Sequence, residues 1–223
     1  RKQYHPSRTL GISKSNIDYF INEILNIKKF AWDIKGIKVF TEKNLKTELI
    51  KFNNKNNTVF SMIRNSQLQK LLFEKLKKNK IVKFKNNLNI DKEDYKLIIN
   101  SDPTHCHVKK FFSKKIDKDY NSYAYTTSIF HKKIKNDIAY QNFTNDGPIA
   151  FLPISNIETS IVYSLKSIEK KNNLEMNNLV KKFNPIYSIN KINNWSRFKL
   201  KSSNLRNYYK DNILAFGDLL HKI

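Results

Sequence analysis

The sequence predicts a mixed α and β chain with a multi-stranded antiparallel sheet at its centre. Three observations carry that expectation. Four short apolar stretches, 123–130, 138–143, 149–154 and 160–165, follow one another at regular spacing, with turn residues between members of the set. Leu68, Leu71, Leu72 and Leu76 recur at helical spacing over 66–76 and line one face. An apolar stretch, Ile213 to Phe216, runs straight into Gly217-Asp218, as a buried strand ending at a turn would.

The remaining elements follow in chain order. Ile17, Phe20, Ile21, Ile24 and Leu25 predict a helix over 13–30, with Ser13 or Ser15 able to cap its first turn. Residues 34–40 alternate and read as a strand. Residues 45–52 and 58–63 are two further strands, and Asn53-Asn54-Lys55-Asn56-Asn57 suits a hairpin between them, because asparagine tolerates positive φ. Short strands are expected at 81–90 and 95–100. The dense run Leu97-Ile98-Ile99 suggests burial on both faces. Asn145-Asp146-Gly147-Pro148 and Ser155-Asn156 are turns, and 168–183 reads as a surface helix.

Composition narrows the function. In 223 residues, 39% are hydrophobic and 13% aromatic, enough to bury a core, so a wholly disordered chain is excluded. No apolar run approaches the roughly 18 residues of a membrane span, and no apolar stretch of signal-peptide type follows Arg1-Lys2-Gln3-Tyr4-His5. The single cysteine, Cys106, rules out an internal disulfide framework, and it reads as a small buried residue. His105-Cys106-His107 lacks a second ligand pair at metal-site spacing. The chain begins with Arg and stops at Leu219-Leu220-His221-Lys222-Ile223 without a helix-closing Gly or Pro, and so reads as a piece of a longer protein.

Forty-two basic against 19 acidic residues give a net charge of +23. Only five of the basic residues are Arg. Lys, Asn and Ile are residues of AT-rich codons, so compositional bias competes with a selected phosphate-binding face as the origin of the charge. Lys75 to Lys85, with six Lys and no acid, is the best feature for a nucleic-acid- or ribosome-associated protein, but scarce Arg counts against that reading.

Two stretches point to chemistry. In Asn212 to His221 an apolar strand delivers Gly217 and Asp218 at its carboxyl end, where ligands bind in open α/β sheets. Gly217 permits close approach, and Asp218 can accept hydrogen bonds from ribose-type or ribityl hydroxyls. Gly147-Pro148-Ile149-Ala150-Phe151-Leu152-Pro153-Ile154-Ser155 places a proline at each end of an apolar strand. Proline cannot donate to a ladder, so this is either an edge strand or a strand that lines a pocket.

Those residues carry a resemblance. The order Asn142-Phe143-Thr144, Gly147 to Ser155 and Ser160 to Ser164, followed by Leu214-Ala215-Phe216-Gly217-Asp218 and His221, resembles aromatic-ring hydroxylases of ubiquinone biosynthesis. These are FAD-dependent monooxygenases of the para-hydroxybenzoate hydroxylase type, specifically the 2-polyprenyl-6-methoxyphenol hydroxylases. Arg8 to Ser13 resembles the family's Arg-x-x-x-Leu-Ser segment, and Ile63-Arg64 with Leu68 and Leu72 its helix start. Leu97 to Asp102 resembles its second fingerprint, and Arg197-Phe198-Lys199-Leu200 stands where Phe-Pro-Leu is common. Departures are clear. The opening Gly-x-Gly-x-x-Gly turn is not in this sequence, Pro103 replaces the Gly of an Asp-Gly pair, Cys106 stands where Ser is usual, and Leu219-Leu220 replace small residues.

The resemblance implies the interior of such a fold (α+β, within an α/β family): an antiparallel substrate domain plus a partial FAD-binding domain. The FAD-binding part would comprise 1–35 and 64–117, the β-rich substrate domain 36–63 and 118–203, with 204–223 returning to the FAD-binding part. It implies hydroxylation of a prenylated phenol through a peroxyflavin, with FAD as cofactor, NADPH or another electron donor, and molecular oxygen. Asp218, Gly217, Arg64, Arg8 and Asp102 would contact the cofactor. Gly147, Pro148, Leu152 and Pro153 would wall the substrate pocket, no side chain would be catalytic, and His221 would be structural. Other ubiquinone-biosynthesis proteins would be partners, in the cytoplasm or peripheral to the inner membrane, with no nucleic acid. A non-catalytic relic of such an enzyme is the competing reading.

Overall fold

The computed structural model describes residues 8–44, 47–53, 58–85, 95–166 and 171–222. The first part of the chain forms β1 (Thr9–Ser13), α1 (Lys14–Tyr19), β2 (Trp32–Ile34), β3 (Gly36–Thr41), β4 (Ile50–Asn53), β5 (Phe60–Arg64) and α2 (Asn65–Lys77). The middle forms β6 (Ile98–Asn100), α3 (Cys106–Phe111), β7 (Lys115–His131), β8 (Ile138–Thr144), β9 (Gly147–Pro153) and β10 (Glu158–Leu165). The last part forms α4 (Asn173–Phe183), β11 (Ile189–Ile192), β12 (Ser196–Leu205), β13 (Tyr209–Lys210), β14 (Ile213–Ala215) and β15 (His221–Lys222). The described residues are thus mostly β-sheet with few helices, a coarser class than the mixed one expected.

Two compact units divide the chain: Arg1–Val82 with Tyr123–Phe198, and Lys83–Ser122 with Lys199–Ile223. In the first unit, β7, β10, β9, β8, β3 and β4 lie in that order, and β11 also pairs with β7. All these pairs are antiparallel except β3 with β8. Alternation sends Ile149, Phe151, Ile161, Tyr163 and Leu165 to one face, where Met176, Val180 and Phe183 of α4 close over them. A capping box fixes the start of α4: Asn172 accepts from the Glu175 amide, and Glu175 accepts from the Asn172 amide. At the edge of this core His131, Thr159, Asn136 and Tyr187 are all buried and mutually bonded. The His131 Nδ1–H donates to the Lys132 carbonyl at 2.9 Å, so Nε2 accepts from Thr159 Oγ1 at 3.0 Å. Asn136 Nδ2 donates to Thr159 Oγ1, and Tyr187 donates to Asn136 Oδ1, each at 3.0 Å. Burial pushes the Tyr187 hydroxyl far above its ordinary range, which keeps it a donor.

The same unit holds the three-stranded sheet β1-β5-β2. The expected hairpin between β4 and β5 does not form. β4 pairs with β3, and β5 lies between β1 and β2. Burial explains the choice. Ser61, Met62 and Ile63 are all buried, so β5 needs neighbours on both sides, whereas Ile50 and Phe52 of β4 are exposed as on an edge. Residues 54–57 of the expected turn lie outside the described residues. The expected helix over 13–30 is also broken. Ser13 caps α1 by accepting from the Asn16 amide at 3.3 Å. A π turn then occupies Phe20–Ile24, Leu25 becomes extended, and a single 3₁₀ turn follows at Lys28–Phe30. The break lets Ile27 bury fully beside Ile12, Ile17, Ile63 and Leu68.

In the second unit β6 and β14 run parallel, with β13 antiparallel to β14. Their core is Ile98, Phe112, Leu205, Ile213, Ala215 and Leu219. The expectation that Leu97-Ile98-Ile99 is buried on both faces fails. Ile98 is buried, but Leu97 and Ile99 are 57% and 59% exposed. No strand covers 81–85, and 86–90 lie outside the described residues. Cys106 is exposed rather than buried, at the start of α3, with its sulfur 3.8 Å from His105 Nδ1.

Candidate functional site

The parallel pair in the second unit gathers most of the sequence-predicted cofactor residues. Ala215 lies opposite Asn100, and the Phe216 amide donates to the Asn100 carbonyl at 2.9 Å. The two strands therefore release Ser101-Asp102 and Gly217-Asp218 side by side at their carboxyl ends. Gly217 has φ +57, which favours glycine, and a Cβ there would meet only Ser101 Cβ at 3.7 Å. The next residues form one turn, closed by the His221 amide donating to the Gly217 carbonyl at 3.0 Å. Leu219 of that turn is buried in the core, so Asp218 is left exposed at its start. Asp102 is committed locally: its carboxylate accepts from the Thr104 amide at 2.8 Å and from Thr104 Oγ1 at 2.7 Å.

Asn100 is a site residue that sequence reasoning passed over. It is 8% exposed, and its Oδ1 accepts from the Asp102 amide at 2.9 Å. Its Nδ2 is buried and has no hydrogen-bond partner in the structure. A buried donor left unpaired costs about 1–3 kcal/mol, so an acceptor from a ligand at these strand ends would relieve it. A polar residue closing the apolar run Leu97-Ile98-Ile99 was the available signal.

Asp218 also borders a recess of about 430 Å³ with an apolar floor that includes Phe112, Leu205 and Leu219. Lys115, Lys201, Lys222 and Asp117 line it too. Hydrogen bonds from Ser203, first, and from Lys115 hold the Asp117 carboxyl below its ordinary value, so it stays ionised.

Arg8 and Arg64 come together in the first unit. Arg64 ends β5 opposite Thr9, and the Arg8 carbonyl accepts from the Asn65 amide at 3.0 Å, at the start of α2. Arg8 is exposed. Arg64 forms an ion pair with Glu158 of β10, whose side chain is 9% exposed.

The four predicted pocket-wall residues divide. Strand β9 is not an edge, since it lies between β8 and β10. Pro148, Ala150 and Leu152 alternate onto the sheet face away from α4, each half-buried, whereas Pro153 lies on the buried face. Thr126, Gln141 and Val162 share the open face, also half-buried. One end of it is covered where Leu152 packs with Ile34, Met62 and Ala139. Gly147 does not line this face. It has φ +136 in the β8–β9 turn, and any Cβ would lie 2.0 Å from the Ser164 carbonyl oxygen.

FAD presents ribityl hydroxyls and a pyrophosphate to its protein. The exposed Asp218 carboxylate, the open approach at Gly217 and the unpaired Asn100 donor fit the hydroxyl-bearing part. The four glycines, at 11, 36, 147 and 217, supply no Gly-x-Gly-x-x-Gly cradle for the pyrophosphate.

The sequence matches no protein-family model, and no curated protein matches it. Solved structures do. p-Nitrophenol 4-monooxygenase PnpA from Pseudomonas putida superposes with a TM-score of 0.72 at 10% identity, over 97% of this chain and 64% of that one. HpxO from Klebsiella pneumoniae, complexed with FAD and uric acid, gives 0.70 at 9% identity, over 99% and 65%. CtdE, in complex with FAD and a substrate, gives 0.71 at 13% identity, over 99% and 67%. The chain thus shares the fold of these proteins and spans about two thirds of their length.

Proposed function

We propose that this chain is the substrate-facing portion of an FAD-dependent monooxygenase that hydroxylates the ring of a prenylated phenol in ubiquinone biosynthesis. The observation that carries the reading is the strand-end cluster: Gly217-Asp218 delivered beside Ser101-Asp102, with Nδ2 of the preceding Asn100 buried and unpaired. The fold likeness supports a flavin enzyme, and the Gly147–Ser155 and Leu214–His221 blocks support the ubiquinone branch.

In this reading Asp218 accepts hydrogen bonds from ribityl hydroxyls, Gly217 leaves room for them, and Asn100 donates. Asp102 holds its loop through Thr104. Arg8 offers a guanidinium to anionic or carbonyl oxygens, and Arg64 is oriented by Glu158 for the same use. Pro148, Ala150 and Leu152 give the substrate a flat apolar wall that excludes water. FAD, reduced by NADPH or another donor, supplies the reduction of molecular oxygen that puts one oxygen atom on the ring and the other into water. The protein works in the cytoplasm beside the inner membrane, near other enzymes of that pathway.

The test of the substrate assignment is equilibrium dialysis of the chain against a prenylated phenol and against phenol itself. The expected result is saturable binding of the prenylated compound, with Ala150→Trp weakening it roughly tenfold by filling the wall. Equal retention of both compounds, or an unchanged affinity in a folded Ala150→Trp variant, would remove the assignment.

A further inference from the structure

The end of α2 carries a surface that the flavin chemistry does not use. The helix is anchored at its start, where Leu68 is buried against Ile17 and Ile63. From Phe73 to Ile81 every residue is exposed. Large apolar side chains remain at that surface: Phe73 and Leu76 are each 43% exposed, and Ile81 is 89% exposed. Lys70, Lys75, Lys77, Lys78 and Lys80 stand among them against one acid, Glu74. Lys77 Nζ lies 4.7 Å from the Phe73 ring centre. A groove of about 800 Å³ opens beside the helix, lined by Ile24, Leu25, Leu71, Leu72 and Leu76; Glu23 and Glu74 balance Lys75 and Lys78 there, so the excess of positive charge lies on the exposed lysines outside it.

We infer that residues 70–81 dock on an anionic bilayer surface, with Leu76 and Ile81 entering the acyl boundary and the lysines meeting lipid phosphates. The chemistry selects this occupant. Five lysines to one acid complement a negative surface, and each lysine near such a surface strengthens attachment. Aliphatic tips between the charges gain by entering hydrocarbon, as on amphipathic interfacial helices. A nucleic acid would use the same charge but has no place for Ile81. The segment also contains no Arg, the side chain suited to bidentate phosphate and base contacts. Compositional bias explains lysines throughout the chain, but it does not explain why the apolar tips stay in water between them. The inference stands on this surface alone and is independent of the flavin reading.

Vesicle flotation of the full chain tests it. One set of vesicles is pure phosphatidylcholine, and the other has roughly a quarter of its lipid replaced by phosphatidylglycerol. The expected result is flotation with the anionic vesicles only. Lys75→Gln with Lys78→Gln should weaken partitioning roughly thirtyfold, and Ile81→Ser roughly tenfold. All three changes are at exposed positions, so circular dichroism melts should match the parent chain. Equal flotation with both vesicle types would overturn the inference. So would parent-like flotation of the variants, or retention of a duplex oligonucleotide with no flotation at all.

Discussion

Gly147→Ala should be among the most destabilising small substitutions in the first unit. Gly147 sits at φ +136, where side-chain-bearing residues are rarely found, and strain of that kind costs about 1–3 kcal/mol. The new methyl would also lie 2.0 Å from the Ser164 carbonyl oxygen. The turn must then retreat from β10, at an overpacking cost of about 1–3 kcal/mol. Together the loss is about 3–4 kcal/mol, a large share of the stability of an ordinary domain. In a chain of this size that lowers Tm by about 10 °C. Gly217→Ala is the internal control: φ is +57 but the Cβ would meet only Ser101 Cβ at 3.7 Å, so the cost is about 1 kcal/mol. Urea unfolding followed by tryptophan fluorescence reads Gly147→Ala, since Trp32 and Trp195 both lie in the first unit, and far-UV circular dichroism on the same samples reads Gly217→Ala in the second. If Gly147→Ala unfolds within about 0.5 kcal/mol of the parent chain, the close approach of this turn to β10 is wrong.

Other perturbations test the electrostatics. Arg64→Ala leaves the Glu158 carboxylate nearly closed off without its guanidinium, and should cost about 2–3 kcal/mol. Adding Glu158→Gln to that variant should recover part of the loss, and a double-mutant cycle measures it. Glu42 accepts from Lys182 Nζ at 2.7 Å and from the Asn145 amide at 2.9 Å, and these bonds, Lys182 first, hold its carboxyl below the ordinary 4.5. Its contribution is therefore complete above pH 4.5 and is lost as pH falls through the lower folded value. Unfolding midpoints measured from pH 7 downward should show a shallower acid decline in Glu42→Gln, by about 0.5 kcal/mol.

The core of the fold was legible because alternation and helical spacing were strong there. Strands β8 to β10, the 123–131 part of β7 and helix α2 follow the apolar residues directly, whereas the polar, exposed first half of β7 was not expected. Strand β12 was missed for a physical reason. Ser196–Leu205 has little apolar alternation, and from Lys199 onward it instead meets β7 through polar side chains: Lys199 pairs with Asp119, and Ser203 bonds Asp117. The pairing of β5 was illegible because hairpin chemistry at 53–57 is local, whereas β5 is recruited by β1 and β2 to bury both its faces. The π turn at Phe20–Ile24 follows α1 directly and Leu25 beyond it is extended, so Ile17, Phe20, Ile21, Ile24 and Leu25 keep a helical spacing in the sequence that the backbone does not follow. At the candidate site, Gly217 and Asp218 were readable as a strand end. Asp102 was named through the resemblance alone, and its place beside them was not legible, because the parallel pairing of β14 with β6 joins residues more than a hundred positions apart. The Asn100 donor follows from that pairing. The direction of Pro153 depended on which face α4 covers, which the strand alone does not encode.

The central claim is that the strand ends at Asn100–Asp102 and Gly217–Asp218 receive a flavin. Titrating the purified chain into FAD and following flavin fluorescence tests it most directly. The account predicts a saturable change that weakens roughly tenfold in Asp218→Ala, the loss of a charge-assisted hydrogen bond, with the melting temperature unchanged. No saturable change, or one indifferent to Asp218, would contradict it.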